Sequence, residues 1–320
     1  MTKVIDQLSY SDKLFLTDGG LETSLVFHQG INLPCFAAFD LLNNAVGCET
    51  LSKYYRDYAQ LARKYEVAFI LEAPTWRASK DWGEKLGYSK AELASLNRKA
   101  IKLLQDIRAE YQDEKTPMII SGCIGSRDDG YNPQSFMDEA EAESYHATQI
   151  KTFSEAGADL ITVMTMTYPE EAIGISRAAK QNKIPVAISF TVETDGKLPN
   201  GQTLKDAIEQ VDTATDATPI YYMINCAHPT HFMEILPTGE SWLTRIQGIR
   251  ANASVKSHAE LDESTELDDG DPIALASQYQ TLKNKLPSLN VLGGCCGTDI
   301  RHVEEICKAC LPLFTSTTYS

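Results

Sequence analysis

Leu289-Asn290-Val291-Leu292-Gly293-Gly294-Cys295-Cys296-Gly297-Thr298-Asp299 joins a short apolar run to a glycine-framed pair of thiols. The run reads as a buried strand. Adjacent cysteines rarely pair with each other, because the eight-membered disulfide ring strains the peptide bond between them. The glycines remove Cβ atoms around the thiols, so the backbone can turn sharply and a ligand can approach closely. Two thiolates at the mouth of a strand suit a soft metal such as zinc and need a third ligand from elsewhere. Tyr221-Tyr222-Met223-Ile224-Asn225-Cys226 offers one in the same setting. The gap between Cys226 and the pair matches no standard finger spacing. Spacing alone therefore leaves two readings open, a zinc site and buried structural thiols, since free cysteine is among the most buried residue types. Cys35, Cys48, Cys123, Cys307 and Cys310 take the structural reading.

Further apolar runs of strand character lie at 14–18, 67–72, 118–121, 160–163, 185–190, 220–224 and 246–250. Between them run stretches with apolar residues at helical spacing: 51–65, 90–111, 138–156, 170–182, 204–213 and 272–286. Ser89 and Glu92 form a capping box for the second, Gly157 ends the third, and Asp299 caps a last helix. Continuous rather than alternating hydrophobicity fits parallel strands buried on both faces. A doubly wound open sheet gives the same alternation. The count of strands and the placing of polar residues favour an α/β fold of the (β/α)8 TIM-barrel type. Asp18, Glu72, Asn225-Cys226 and Cys295-Cys296 all stand at C-terminal strand ends, where barrel enzymes carry their chemistry.

A length of 320 residues fits a single barrel domain over 1–320. Lys and Arg number 29 against 44 Asp and Glu, a formal charge of −15. That acidity argues against nucleic acid and against anionic membranes as partners. No apolar run approaches the ~18 residues of a membrane span. Met1 to Gln7 lacks the apolar core of a signal peptide. Eight cysteines without dense spacing suit a reducing compartment, so a cytoplasmic location is expected. The acidic run 260–271 reads as a solvated loop. None of these features bears on oligomeric state.

The Gly-Gly-Cys-Cys-Gly-Thr motif, the upstream Asn225-Cys226 and the N-terminal Asp18-Gly19-Gly20 together resemble the homocysteine S-methyltransferase family. That family includes S-methylmethionine- and betaine-dependent enzymes. The resemblance runs from about Leu14 to about Ile306. It implies a (β/α)8 barrel that holds zinc through Cys226, Cys295 and Cys296. It also implies transfer of a methyl group from a sulfonium donor, S-methylmethionine or S-adenosylmethionine, to homocysteine, giving methionine. The chemistry is coherent. A thiol has an unperturbed pKa of about 8.5, and zinc deprotonates it outright. Three cysteine ligands leave a fourth position for the substrate sulfur, the mark of a catalytic site. The donor turns neutral as its methyl leaves, so no general acid or base is needed.

Asp18 and Gly19 are candidates for binding the acceptor, Asp18 through its ammonium group or by orienting the zinc site. The alternative for Asp18 is a turn carboxylate at the glycine bend. Glu72, Trp76, Arg77 and Trp82 follow the second strand, where aromatic faces suit a cationic donor and Arg77 can fork a carboxylate. Asn225 and Asn252 correspond to polar positions in the family pocket. His228 and His231 are an alternative metal pair, and Tyr168 and Glu193 are rim residues. One departure stands out. Met164 lies where the family carries a Glu that binds the homocysteine amino group. Either Glu72 or Glu193 replaces it from a neighbouring strand, or the acceptor is a different small thiol or a selenol. A non-catalytic zinc-binding protein is the reading from another class, and it requires a closed, four-ligand site.

Overall fold

The computed structural model describes Asp6, Leu8 and residues 13–130, 135–237 and 239–315. Its strands are β1 (Phe15–Leu16), β2 (Ala68–Glu72), β3 (Met118–Gly125), β4 (Leu160–Met166), β5 (Val186–Phe190), β6 (Tyr221–Asn225), β7 (Ile246–Ala251) and β8 (Val291–Gly294). They pair in parallel and in sequence order, and the ring closes where β1 meets β8 through Phe15↔Val291 and Leu16↔Leu292. The fold is thus a closed barrel, not an open doubly wound sheet.

The long helices are α1 (Ala45–Tyr65), α2 (Lys90–Tyr111), α3 (Glu139–Ala156), α4 (Pro169–Gln181), α5 (Leu204–Thr215), α6 (Pro272–Lys285) and α7 (Ile300–Cys310). Local chemistry sets their ends. Asn44 accepts the Gly47 N–H at 2.8 Å, so α1 starts well before residue 51. Ser89 and Glu92 complete their capping box, and Gly157 takes a left-handed φ of 82° after α3. Short helices also form at Lys80–Lys85, after β2, and at His258–Asp262, whose end enters the acidic stretch 260–271 expected to be a loop. Among the described residues, β6 and β7 are joined without a long helix. Pro229–Phe232 and a 3₁₀ turn at Ser241–Arg245 take its place.

Two apolar compartments hold the barrel. The larger lies between strands and helices, with Leu71, Ile161, Ile188 and Ile249 facing outward. The smaller fills the interior with Phe15, Ile70, Ile119, Leu160, Tyr221 and Val291. Side chains alternate along a strand, so the next inward position up each strand is fixed by the first. There the character changes. Ile70 gives way to Glu72, Ile119 to Ser121, Leu160 to Thr162, Ala187 to Ser189 and Met223 to Asn225. A dry plug therefore supports a buried polar layer at the C-terminal mouth.

Candidate metal centre and substrate cavity

Cys226 follows directly on β6 and takes a left-handed φ of 54°, uncommon outside glycine. Its surroundings hold it there. Its N–H donates to Arg250 O at 3.1 Å, Asn252 Nδ2 donates to its carbonyl at 3.0 Å, and His258 Nε2 lies 2.7 Å from the same oxygen. Cys295 follows β8, and its N–H donates to Ala251 O at 2.8 Å. Two glycines are required here. A Cβ on Gly294 would lie 2.7 Å from the Cβ of Thr298 in the turn that follows, and Gly297 has a φ of 79°.

The Sγ atoms of Cys226, Cys295 and Cys296 all lie within 4.8 Å of one another. Cys226 and Cys295 are paired as a disulfide, with Cα atoms 5.5 Å apart. A disulfide and two thiols differ by two electrons and two protons, so the same residues serve as ligands once reduced. Tetrahedral zinc with Zn–S bonds of about 2.3 Å sets its sulfurs roughly 3.8 Å apart. Once reduced, the three sulfurs are close enough together to take up that set, and their all-sulfur chemistry selects a soft ion. His228 and His231 do not join it. His228 pairs with Thr230 and is pushed down to about 4 by burial, and His231 Nε2 faces Val255 O at 2.9 Å.

The cysteines lie on the wall of a cavity of about 540 Å³ at the barrel mouth. Asp18, Gly19, Glu72, Trp76 and Asn225 share that wall, whereas Asn252 stands behind Cys226 and positions it. Asp18 is committed elsewhere. Arg250 Nη2 donates to its Oδ1 at 2.7 Å and the Tyr54 hydroxyl to its Oδ2 at 3.0 Å. Burial pushes the Asp18 carboxyl up, against the pull of Arg250 and Tyr54. Glu72 is different. Thr162 Oγ1 donates to its Oε1 at 2.8 Å, but Oε2 is buried without a partner among the described residues. Burial pushes this carboxyl up to about 7.

Asn225 is a bracket. Its Oδ1 accepts from Thr165 N–H at 2.9 Å and Ser189 Oγ at 2.6 Å, and its Nδ2 donates to Thr165 Oγ1 at 2.8 Å. Thr165, at φ 63°, sits in a break in the β4–β5 register between Val163 and Met166. Such bulges re-aim side chains beside active sites. Here Met164 lines the cavity and is almost fully buried. Glu193 pairs with His258 at 3.2 Å and lies off the wall, as does Tyr168.

Several wall residues were not evident in the sequence. Arg250 reads there only as the end of a weak strand, although a charge within a doubly buried strand demands a partner. Glu22 lines the cavity, and burial pushes it up to about 7. The stretch expected to be a solvated acidic loop lends Leu261, Glu266 and Leu267 to the wall. Cys35 is exposed and Cys48 half-buried, so two of the five expected structural thiols are not core residues. Cys123, Cys307 and Cys310 are buried.

The family model described as homocysteine S-methyltransferase matches residues 15–310. Homocysteine S-methyltransferase 2 of Arabidopsis thaliana is 22% identical over 330 residues, covering 95% of each chain. Selenocysteine Se-methyltransferase of Brassica oleracea var. italica is 23% identical, covering 95% of this chain and 92% of that one. The fold matches the metallated form of the homocysteine methyltransferase MmuM from Escherichia coli with a TM-score of 0.73 at 17% identity, over 95% of this chain and 99% of that one. The oxidized form of MmuM gives 0.74 at 16% identity, over 96% and 99%.

Proposed function

The chain belongs to the homocysteine S-methyltransferase family, and from that premise we propose that it is a zinc-dependent enzyme moving a methyl group from a sulfonium donor to homocysteine. The observation that carries this reading is the convergence of Cys226, Cys295 and Cys296 on the wall of one cavity. A zinc ion there would supply Lewis acidity that keeps an acceptor thiol deprotonated near neutral pH. The open cavity beside the trio argues against a closed storage site.

The chain's own residues have separate duties. Asn252 and His258 hold the Cys226 carbonyl and so aim its sulfur. Arg250 ties Asp18 and the Gly19 carbonyl to the mouth of β7. Glu72 offers a carboxylate oxygen to the acceptor's ammonium group, the duty that Met164 cannot perform. Apolar wall excludes water. The acceptor sulfur's electron pair then forms the new C–S bond as the donor's C–S bond breaks in line, and the donor leaves as a neutral thioether. S-methylmethionine and S-adenosylmethionine are the first-choice donors.

A second reading rests on Met164. An acceptor without an ammonium group, whether thiol or selenol, leaves a thioether wall unpenalised. The test is to supply reduced, zinc-loaded protein with homocysteine labelled in its carbon chain and each donor, and to measure labelled methionine, because S-methylmethionine yields unlabelled methionine whichever acceptor takes its methyl. Labelled methionine supports the first reading. Methylation of another thiol or selenol with no labelled methionine replaces it with the second. A single domain and a cytoplasmic setting are part of the proposal; among the described residues, no helix is long and apolar enough to cross a membrane.

A further inference from the structure

Arg77 lies on the cavity wall in the turn after β2 and is only 8% exposed. Its guanidinium carbon is 4.3 Å from the centre of the Trp76 ring and 3.6 Å from that of Trp82. Two aromatic rings thus fix the plane of the fork, and they are themselves engaged by a cation. That arrangement repels a sulfonium group from the very rings expected to receive it.

The fork is incomplete. Nη2 donates to Asp129 at 3.3 Å, while Nε and Nη1 are buried with no acceptor among the described residues. Each carboxylate-binding edge of the guanidinium, Nε with Nη2 and Nη1 with Nη2, therefore keeps an unpaired nitrogen. Buried donors left unpaired are costly, and a planar oxyanion is the group that completes such a fork. The other arginine on the wall, Arg250, is already bound to Asp18 and to the Gly19 and Gly294 carbonyls.

We propose that Arg77 is a specificity-determining residue that binds the carboxylate of an amino-acid-like substrate of this site. The proposal rests on the methyl-transfer reading above for the identity of the ligands, and the acceptor and the donors named there all carry that group. With Glu22 and Glu72 on the same wall, the cavity presents both charges that a zwitterion needs.

The test is binding, read by intrinsic fluorescence, since two of the chain's three tryptophans flank Arg77. Reduced full-length protein is titrated in two arms. The acceptor arm compares homocysteine with 3-aminopropane-1-thiol; the donor arm compares S-methylmethionine with its decarboxylated sulfonium. Arg77→Gln is expected to weaken the carboxylate-bearing member of one pair about ten- to a hundredfold and its partner less than about twofold. Arg77→Lys, which keeps the charge but not the fork, should fall between. The arm that responds identifies the substrate. Equal losses for both members, no loss, or no preference in the unaltered protein overturns the proposal. Selective binding without methyl transfer would instead leave Arg77's role standing and remove the catalytic reading.

Discussion

Glu72 and Asp18 carry the same charge at the same barrel mouth, yet their neighbours give them different work. Asp18 is bound by Arg250 and Tyr54, whereas Glu72 keeps one oxygen without a partner among the described residues. Glu72→Gln should raise the KM for homocysteine about ten- to a hundredfold and change that for 4-sulfanylbutanoate, which lacks the amino group, by less than about twofold. Steady-state assays with both thiols check this. Asp18→Asn should act on stability instead, because it leaves the buried Arg250 charge without its carboxylate partner. A loss of about 3–5 kcal/mol is expected in urea unfolding. Glu72 also makes stability depend on pH. Burial raises its carboxyl from an ordinary 4.5 to about 7. Between those values the unfolded chain has released the proton and the folded chain has not, so stability falls as pH rises and levels off above the folded pKa. The loss from this group is about 3 kcal/mol, and Glu72→Gln should remove it from unfolding curves measured across that window. At this scale the cysteines were legible because thiols in a glycine frame have few other uses. Glu22 was not, since its burial comes from segments distant in sequence.

The strands and long helices were legible from periodicity, and their ends moved where a cap or bulge intervened. Asn44 lengthened α1, and the register break in β4 carried that strand on to Met166. The helices Lys80–Lys85 and His258–Asp262 are too short to persist without packing, so local pattern carries little trace of them. The β4–β6 junction yields a prediction of its own. Asn225→Ala strips partners from the Thr165 N–H and the Ser189 hydroxyl, both buried. It should cost about 1–3 kcal/mol in denaturant unfolding, and it should weaken metal retention, because Cys226 is the next residue.

For the molecule as a whole, the question is whether the proposed ion would hold the barrel or the barrel would hold the ion. The cysteines sit above a dry interior plug that they do not help to build. Chelation should therefore leave far-ultraviolet circular dichroism intact while activity is lost. Elemental analysis should find about one zinc per chain, with a marked fall in Cys295→Ala and Cys296→Ala. Full retention in both variants would refute the ligand assignment, and collapse of the fold on chelation would make the ion structural.

The closure of β8 against β1 has a temporal consequence. Cys226 and Cys295 are 69 residues apart in the chain, and two of the three thiols arrive only with the strand that seals the ring. A growing chain halted before β8 has an open sheet edge and one sulfur, too few to retain a soft ion. Metal held by the trio, as proposed above, would therefore report that synthesis has passed the last strand and that the ring has shut.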